Sequence, residues 1–418
     1  MNKNYDVVII GGGAAGVFAA INMAKFNPQL NIAILEKTTQ LLSKVKVSGG
    51  GRCNVTHACF EPNELVKFYP RGNKELLSAF YQFQPTDTIN WFKERGVELK
   101  TEADGRMFPT TDNSQTIIDC FTKELVKFNI EVLYSTKVET IQKTDDGFEL
   151  QTNQNAFKTK KLLITTGGFN KLEQYDFITQ LGIGVEPPTP SLFTFNLPNH
   201  AITELQGIAT PAKVKILGTK FEEQGALLIT HWGMSGPVIL KLSAWASRVL
   251  NEKNYEFDFM VNWLMDKKDD ELNEIYQQNK LQFGSRKVMN QFEFGLPKKL
   301  SLYLIHKAGI TDEMKWADVS KKQLNKLTEA LIRDTYHSSG KTTFKSEFVS
   351  CGGVKLNEVN FKTMESKKVQ GLFFAGEVLD VDALTGGFNF QAAWTTGWIA
   401  AQSYLLYNIG YISFACTY

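Results

Sequence analysis

The chain has little that would tie it to a membrane or to an oxidising compartment. Its 418 residues include five cysteines, Cys53, Cys59, Cys120, Cys351 and Cys416. They form no CxxC pair and their number is odd, so a reduced, cytoplasmic setting is expected. No stretch approaches about 18 apolar residues without a charge, which excludes a membrane-spanning helix. The first apolar strand begins almost at once, so no signal peptide is expected. Net charge is nearly absent as well: 46 basic and 44 acidic side chains leave +2. That balance argues against a nucleic-acid-binding surface as the main business of the chain, and no nucleic-acid partner is expected. There is no internal repeat, no low-complexity linker, no Ser-His-Asp grouping and no metal-ligand spacing.

What is present begins at residue 5. The text YDVVIIGGGAAGVFAAINMAKFNPQLNIAILE places an apolar strand over Val7 to Ile10, a glycine turn Gly11-x-Gly13-x-x-Gly16, and a small-residue helix through Ala14 and Ala15. A second strand, Asn31 to Leu35, ends at Glu36. The glycines allow a tight turn and close approach of the backbone to a pyrophosphate. The helix N-terminus offers unpaired N–H groups and a positive dipole to that anion. Glu36 is placed to accept hydrogen bonds from ribose hydroxyls. Strand, turn, helix and acidic residue together predict a bound dinucleotide; alone they do not separate FAD from NAD.

Further along, PTDTINWFKERGVEL reads as a helix stopped at Gly96, followed by a loop, DGRMFPTTDNS. Ile117, Ile118, Phe121 and Leu125 mark one face of another helix. IEVLYSTKVETI reads as a strand pair, and FELQT and KTKKLLITT as strands around turns. From about 191 to 264 short strand-like runs dominate, interrupted by a helix beginning near Gly236-Pro237. From 266 to 337 the text is charged and helical. QGLFFAGEV reads as a late apolar strand, a last helix starts near Asn389, and the apolar tail NIGYISFACTY is expected to pack on the domain. The pattern predicts one α/β nucleotide-binding domain split by an insertion that is part β and part helical.

Glycine clusters recur at 11–13, 49–51, 167–168, 352–353 and 386–387. The first, third and last lie at or just past strand ends, where an open α/β sheet binds its ligand. Several such turns suit one long ligand lying across several strands, which favours FAD over NAD as the resident cofactor.

The segments SGGGRCNVTH (48–57), LITTGGFN (163–170), THWGMSGPVIL (230–240), CGGV with TMESKKVQGLFFAGEVLDVD (351–354, 363–382) and TGGFNFQAAWTTG (385–397) resemble the BaiN/YhiN-like flavoprotein family, over nearly the whole chain and in order. That family comprises NAD(P)/FAD-dependent oxidoreductases, with members described as aminoacetone oxidases and as reductases of 3-dehydro bile acids. Ala383, Phe388 and Ala392 stand where Gly, Tyr and Trp are usual in it, departures that bear on substrate shape. The resemblance implies a glutathione-reductase-like FAD-binding Rossmann domain over 1–190 and 346–418, a β-rich, barrel-like insert over 191–265 and 338–345, and a helical subdomain over 266–337.

It also implies residue roles. Ala15 and Gly16 would face the pyrophosphate, Glu36 the adenosine ribose, and Lys37 and Lys44 the phosphates or the adenine edge. Gly50, Gly51, Arg52, Cys53 and Asn54 would wrap the pyrophosphate and ribityl chain, with Arg52 adding charge at a phosphate or at flavin N1/O2. Val138 would offer backbone to adenine, and Thr166 and Gly167 would pass the adenosine half. Gly376 and Glu377 would meet the ribityl chain, with Asp380 and Asp382 as weaker candidates. Gly387, Phe388 and Asn389 would open a helix aimed at flavin O2. No catalytic acid or base stands out: His231, Cys53 and Arg52 are weak candidates, and Tyr336 and His337 weaker ones.

The expected activity is hydride transfer between flavin N5 and a small or hydrophobic organic substrate. No second GxGxxG unit appears, so NAD(P)H would dock transiently as donor, or oxygen would reoxidise the flavin. The alternatives are a non-enzymatic flavin-binding redox sensor and a flavin-dependent RNA-modifying protein.

Overall fold

The computed structural model describes residues 3–342 and 349–408, so most of the apolar tail, with Cys416, lies outside the described residues. The chain divides into two compact units, Met1–Thr189 with Val349–Tyr418, and Pro190–Phe348.

The first unit is built on the glycine turn. Strand β1 (Lys3–Ile10) leads into helix α1 (Ala14–Phe26) and returns as strand β2 (Ile32–Leu35). β1 pairs in parallel with β2 on one side and with the strand Ala156–Ile164 on the other; Glu131–Leu133 and Leu372–Phe374 extend the parallel sheet outward. Parallel strands buried on both faces carry continuous apolar runs, as Val7-Val8-Ile9-Ile10 and Ile32-Ala33-Ile34-Leu35 do, all eight being buried or nearly so. The strands Val138–Thr144 and Gly147–Thr152 add an antiparallel meander against Ala156–Ile164. α1 is buried on every side from Ala15 to Ala24, which its run of small residues permits. It packs on the last described helix, Phe388–Asn408. The approach is close enough that a Cβ on Gly397 would lie 2.8 Å from the Ala15 carbonyl oxygen. An aromatic cluster of Phe18, Phe83, Trp91, Phe121 and Trp394 fills the space beside it. The late apolar run QGLFFAGEV yields only three strand residues; Gly376, at φ +77°, turns the chain into a short 3₁₀ segment, Gly376–Val378.

The second unit holds an antiparallel sheet flanked by the helix Pro237–Glu252 and followed by the helices Asp269–Phe283, Lys298–Lys307 and Lys321–Ile332. Its strands alternate in the expected way: Phe257, Phe259 and Val261 are buried between the more exposed Glu256, Asp258, Met260 and Asn262. The helical text does not run to 337 as the charge pattern suggested. It stops at Ile332, and Asp334–Ser339 is a strand paired with Glu256–Asn262. The period of two then sets Tyr336 and His337 on opposite faces. Tyr336 is buried, its hydroxyl donates to Asp334, and its ring stacks on Phe259. His337 is exposed and bonded to Asp258 and Glu256. Neither forms the acid–base candidate read from the sequence.

Those two carboxylates raise the His337 pKa, the Asp258 hydrogen bond contributing most. A raised folded-state pKa stabilises below the unfolded value of about 6.5 and the gain is lost as pH rises through the folded value. Substituting His337→Gln is therefore expected to lower stability by under about 1 kcal/mol at slightly acidic pH. Thermal melts of the two proteins should converge at alkaline pH.

Candidate functional site

The parallel registers bring five strand ends into one row. Ile10 lies opposite Leu35 and Ile164, Leu35 opposite Leu133, and Ile164 opposite Phe374. The chain leaves the sheet on the same edge at each of them, and a ligand of a parallel sheet binds just beyond that edge. Most of the residues singled out from the sequence follow these strand ends.

After Ile10 the turn is tight enough to leave room for nothing but hydrogen at two glycines. Gly11 has φ +109°, and a Cβ there would lie 2.5 Å from the Thr165 carbonyl oxygen; a Cβ on Gly16 would lie 2.1 Å from the Gly11 carbonyl oxygen. Gly13, by contrast, caps α1 with nothing within 4 Å of an added Cβ, so the helix N-terminus opens on clear space. Glu36 follows β2, its carboxylate accepting from the Gly12 amide at 2.8 Å and from the Thr38 amide and hydroxyl at 2.8 Å. A carboxylate has about four acceptor positions, so these three bonds fix its direction and leave capacity for about one hydroxyl. Lys37 is exposed, with its ammonium 5.5 Å above the Phe169 ring.

After Ile164 the anchoring residue is Thr165 rather than Thr166. Its buried hydroxyl bonds the Ile10 and Gly11 carbonyls at 3.0 and 2.9 Å, tying the third strand to the glycine turn. Thr166 bonds only the Gly167 carbonyl. An added Cβ on Gly167 would lie 3.9 Å from both the Lys44 ammonium and a Glu377 carboxylate oxygen, which form an ion pair of 2.5 Å. Lys44, Gly167 and Glu377 thus meet at the rim. Glu377 arrives through Gly376, whose amide donates to the buried Thr396 hydroxyl at 3.0 Å. Val138 begins the antiparallel meander just past the Leu133 strand end.

The second glycine cluster forms a kinked segment. Helix α2 (Ser43–Gly51) breaks at Ser48, and Gly49, Gly50 and Gly51 take φ of +57°, +68° and +84°. Gly50 and Gly51 have nothing within 4 Å of an added Cβ. Such a run of left-handed glycines, with open space beside two of them, leaves the backbone accessible to close approach. Asn54 closes it, its amide bonding the Thr56 and Met107 carbonyls and accepting from the Gly387 amide at 3.0 Å. Gly387, at φ +92°, lies so close to strand β3 (Thr56–His57) that a Cβ would be 2.5 Å from the Thr56 carbonyl oxygen. Below it, the fully buried Gln391 accepts from the Thr56 and Thr88 hydroxyls. Phe388 starts the last helix, its carbonyl accepting from Tyr69, and the Asn389 amide is spent on the backbone of Ala383.

Several candidates are committed elsewhere. Cys53 is fully buried at φ +61°, and burial pushes its thiol up to about 12. It therefore stays protonated and inert. Replacing it with alanine should leave the flavin spectrum unchanged and turnover within about twofold, and a thiol reagent should not modify it in the native protein. The Arg52 guanidinium stacks 3.9 Å above the Phe108 ring and is paired with Glu102 at 2.6 Å and Asp112 at 3.5 Å. That pairing answers its charge within the protein. Asp382 is buried and bonded at two points by Arg71, and Asp380 accepts from the Gly352 amide. Both carboxylates are thus engaged with the protein framework. His231 lies in the second unit, exposed in the turn between the strands Glu222–Thr230 and Gly233–Ser235, with its ring against Trp232. Among the described residues no cluster of His, Cys, Asp and Glu is arranged to hold a metal ion, and no helix is long and apolar enough to cross a membrane.

A family model described as the HI0933-like protein Rossmann domain matches residues 5–403. The chain belongs to this family. It is a family of FAD-dependent oxidoreductases that includes the BaiN-like flavoproteins. The chain is 31% identical to the ribosomal RNA dihydrouridine synthase of Escherichia coli, over 96% of this chain and 98% of that protein. It is 26% identical to the 3-dehydro-bile acid delta(4,6)-reductase of Clostridium scindens, over 94% and 98%. Among solved structures, the 3-ketosteroid delta1-dehydrogenase of Sterolibacterium denitrificans superposes with a TM-score of 0.51 and 10% identity, covering 96% of this chain and 99% of that one. At that identity the likeness shows the fold alone. The open space beside Gly13, Gly50 and Gly51 and the carboxylate of Glu36 past the end of β2 are features that a dinucleotide such as FAD would fit.

Proposed function

We propose that the chain is a flavin-dependent reductase of carbon–carbon double bonds conjugated to a carbonyl, and that its substrate is a uridine of ribosomal RNA. The observation that carries the reading is the end-to-end likeness to the ribosomal RNA dihydrouridine synthase of Escherichia coli, 31% identical over 98% of that protein. Dihydrouridine is uridine whose 5,6 double bond, conjugated to the 4-carbonyl, has gained two hydrogens. The delta(4,6) bonds of a 3-dehydro bile acid stand in the same electronic relation to its 3-ketone. One chemistry thus covers both relatives: a hydride is added to the carbon remote from the carbonyl, and a proton is taken up at the adjacent one. NAD(P)H supplies the electrons.

In this reading FAD supplies the hydride when bound, and the chain supplies its placement. The α1 N-terminus and the Gly11–Gly16 turn receive the pyrophosphate, Glu36 the adenosine ribose, and Val138, Thr166 and Gly167 border the adenosine half. Lys44 and Glu377 bracket the phosphate and ribityl region, and Gly50, Gly51 and Asn54 line the ribityl side. The N-terminus of the Phe388–Asn408 helix, opened by Gly387, directs its positive dipole at the pyrimidine edge of the ring system and favours the anionic reduced form.

A second reading, reduction of a free cyclic enone, is favoured by the likeness to the bile-acid reductase. The two separate by anaerobic mixing of the reduced holoprotein with each substrate class. Recovery of the oxidised flavin band on addition of unmodified ribosomal RNA, and not of a cyclic enone, is expected. Recovery with the enone alone would replace the first reading by the second.

A further inference from the structure

The turn before the last helix is held from one side by a residue that no functional reading has used. His57 Nδ1 lies 2.9 Å from the Gly386 carbonyl oxygen. Because a carbonyl only accepts, Nδ1 carries the proton and the ring is a donor there. The His57 ring stacks on Phe388 with centroids 4.4 Å apart at 28°, and Phe388 stacks in turn on Phe68 at 4.2 Å and 11°. The far edge of the imidazole faces Gly105. Gly105, at φ +86°, sits so close that a Cβ on it would be 2.5 Å from His57 Nε2 and 3.0 Å from Cε1. Gly105 belongs to the turn 102–105 between the strands Leu99–Thr101 and Arg106–Pro109, and its carbonyl accepts from the Ala58 amide at 2.8 Å. The loop that read as a mere connection is thus the back wall of a wedge. Gly105 lies against His57, and His57 bonds the Gly386 carbonyl and stacks on Phe388.

We propose that His57, backed by Gly105, is a positioning residue that fixes the turn at Gly386–Phe388 and thereby aims the N-terminus of the last helix at the flavin. The inference rests on the placement of FAD given above, and not on the identity of the substrate. Gly386 and Gly387 have φ of +136° and +92°, a backbone that no side chain of its own can stiffen. Its conformation is set from outside, by Asn54 on the Gly387 amide, Tyr69 on the Phe388 carbonyl and His57 on the Gly386 carbonyl. Of these, His57 alone combines a hydrogen bond to the turn with a ring stacked on the first residue of the helix. Nε2 faces the backbone of Gly105, so the imidazole orients rather than delivers a proton.

Three variants test this. His57→Phe keeps the stacked ring and loses the donor. His57→Asn keeps a donor nitrogen at the same distance along the side chain and loses the stack. Gly105→Ala leaves His57 in place and pushes on it. His57→Phe and Gly105→Ala are each expected to weaken FAD binding by roughly tenfold, the equivalent of one lost and unreplaced hydrogen bond. They should also alter the visible circular dichroism of the bound flavin and speed amide hydrogen exchange over residues 383–389. His57→Asn should restore affinity to within about threefold. His306→Gln, on a surface pair with Asp312 in the other unit, should change none of these readings. Exchange is measured on the cofactor-free protein, so it reports on the turn whether or not FAD sits as placed here. Faster exchange with unchanged flavin signals would sink the placement of FAD and keep the clamp. Unchanged exchange together with unchanged FAD affinity in His57→Phe and Gly105→Ala would overturn the clamp itself. Should His57→Phe fail to fold, Gly105→Ala and His57→Asn decide the matter by the same readings.

Discussion

Alanine at position 16 should leave the protein without FAD. The methyl group would sit 2.1 Å from the Gly11 carbonyl oxygen and 2.5 Å from the Thr165 hydroxyl. Both neighbours are fixed, the first as backbone of the turn and the second by its bonds to Ile10 and Gly11. Relief requires α1 to slide away from the sheet, which costs on the order of 1–3 kcal/mol as overpacking and carries the helix N-terminus off the strand-end row. With the pyrophosphate proposed at that N-terminus, the affinity loss should exceed the stability loss, reaching roughly a hundredfold or more. Gly13→Ala provides the contrast. Its Cβ meets nothing within 4 Å and its φ of −85° suits any residue. Its melting temperature without cofactor should match the parent, while FAD affinity falls because the new methyl group occupies space a pyrophosphate approaches. Titration followed by flavin fluorescence and melting curves with and without FAD measure both. Gly16→Ala retaining full flavin content would show that the glycine turn does not hold the cofactor.

The second large effect concerns stability alone. Arg71→Met should destabilise the first unit by about 3–5 kcal/mol, the usual loss when one member of a buried ion pair is removed. The two side chains are only 10% and 1% exposed, so water does little to compensate. Replacing both, as Arg71→Met with Asp382→Leu, should recover much of the loss, since the cost lies mainly in stranding a charge. Denaturant melts of the single and double variants give the coupling. The flavin spectrum of whatever fraction folds should match the parent. A variant at Asp382 that kept its stability and lost the flavin would return that residue to the ribityl chain.

The nucleotide-binding half was legible because its signals are local. Strand, glycine turn and helix lie within residues 3–26, and Gly16 is demanded by the nearby Gly11 carbonyl, although Gly11 itself is demanded by Thr165 far along the chain. The kink at 49–51 and the turn at 386–387 were also visible as glycine runs, since only glycine takes several left-handed conformations in succession. What the sequence hid depends on partners far along the chain. Arg52 finds its carboxylates on a hairpin fifty residues on, and Arg71 lies 311 residues from Asp382, so neither pairing could be read from spacing. Thr165 and Thr166 look alike as text; strand geometry decides which hydroxyl turns to the glycine turn. Cys53, beside a glycine loop, reads more as a small packed residue than as a redox group, and it is fully buried. His57 drew no notice because its meaning comes from Gly386 and Gly105, residues contributed by two other loops.

The account stands most directly on the mass of the uridines in ribosomal RNA. RNA from cells lacking this chain, and from the same cells supplied with the parent chain or with Gly16→Ala, would be digested and analysed by mass spectrometry. One uridine heavier by two hydrogens with the parent chain, and unmodified both in its absence and with Gly16→Ala, is the predicted result. Ribosomal RNA of identical mass in all three would contradict the assignment.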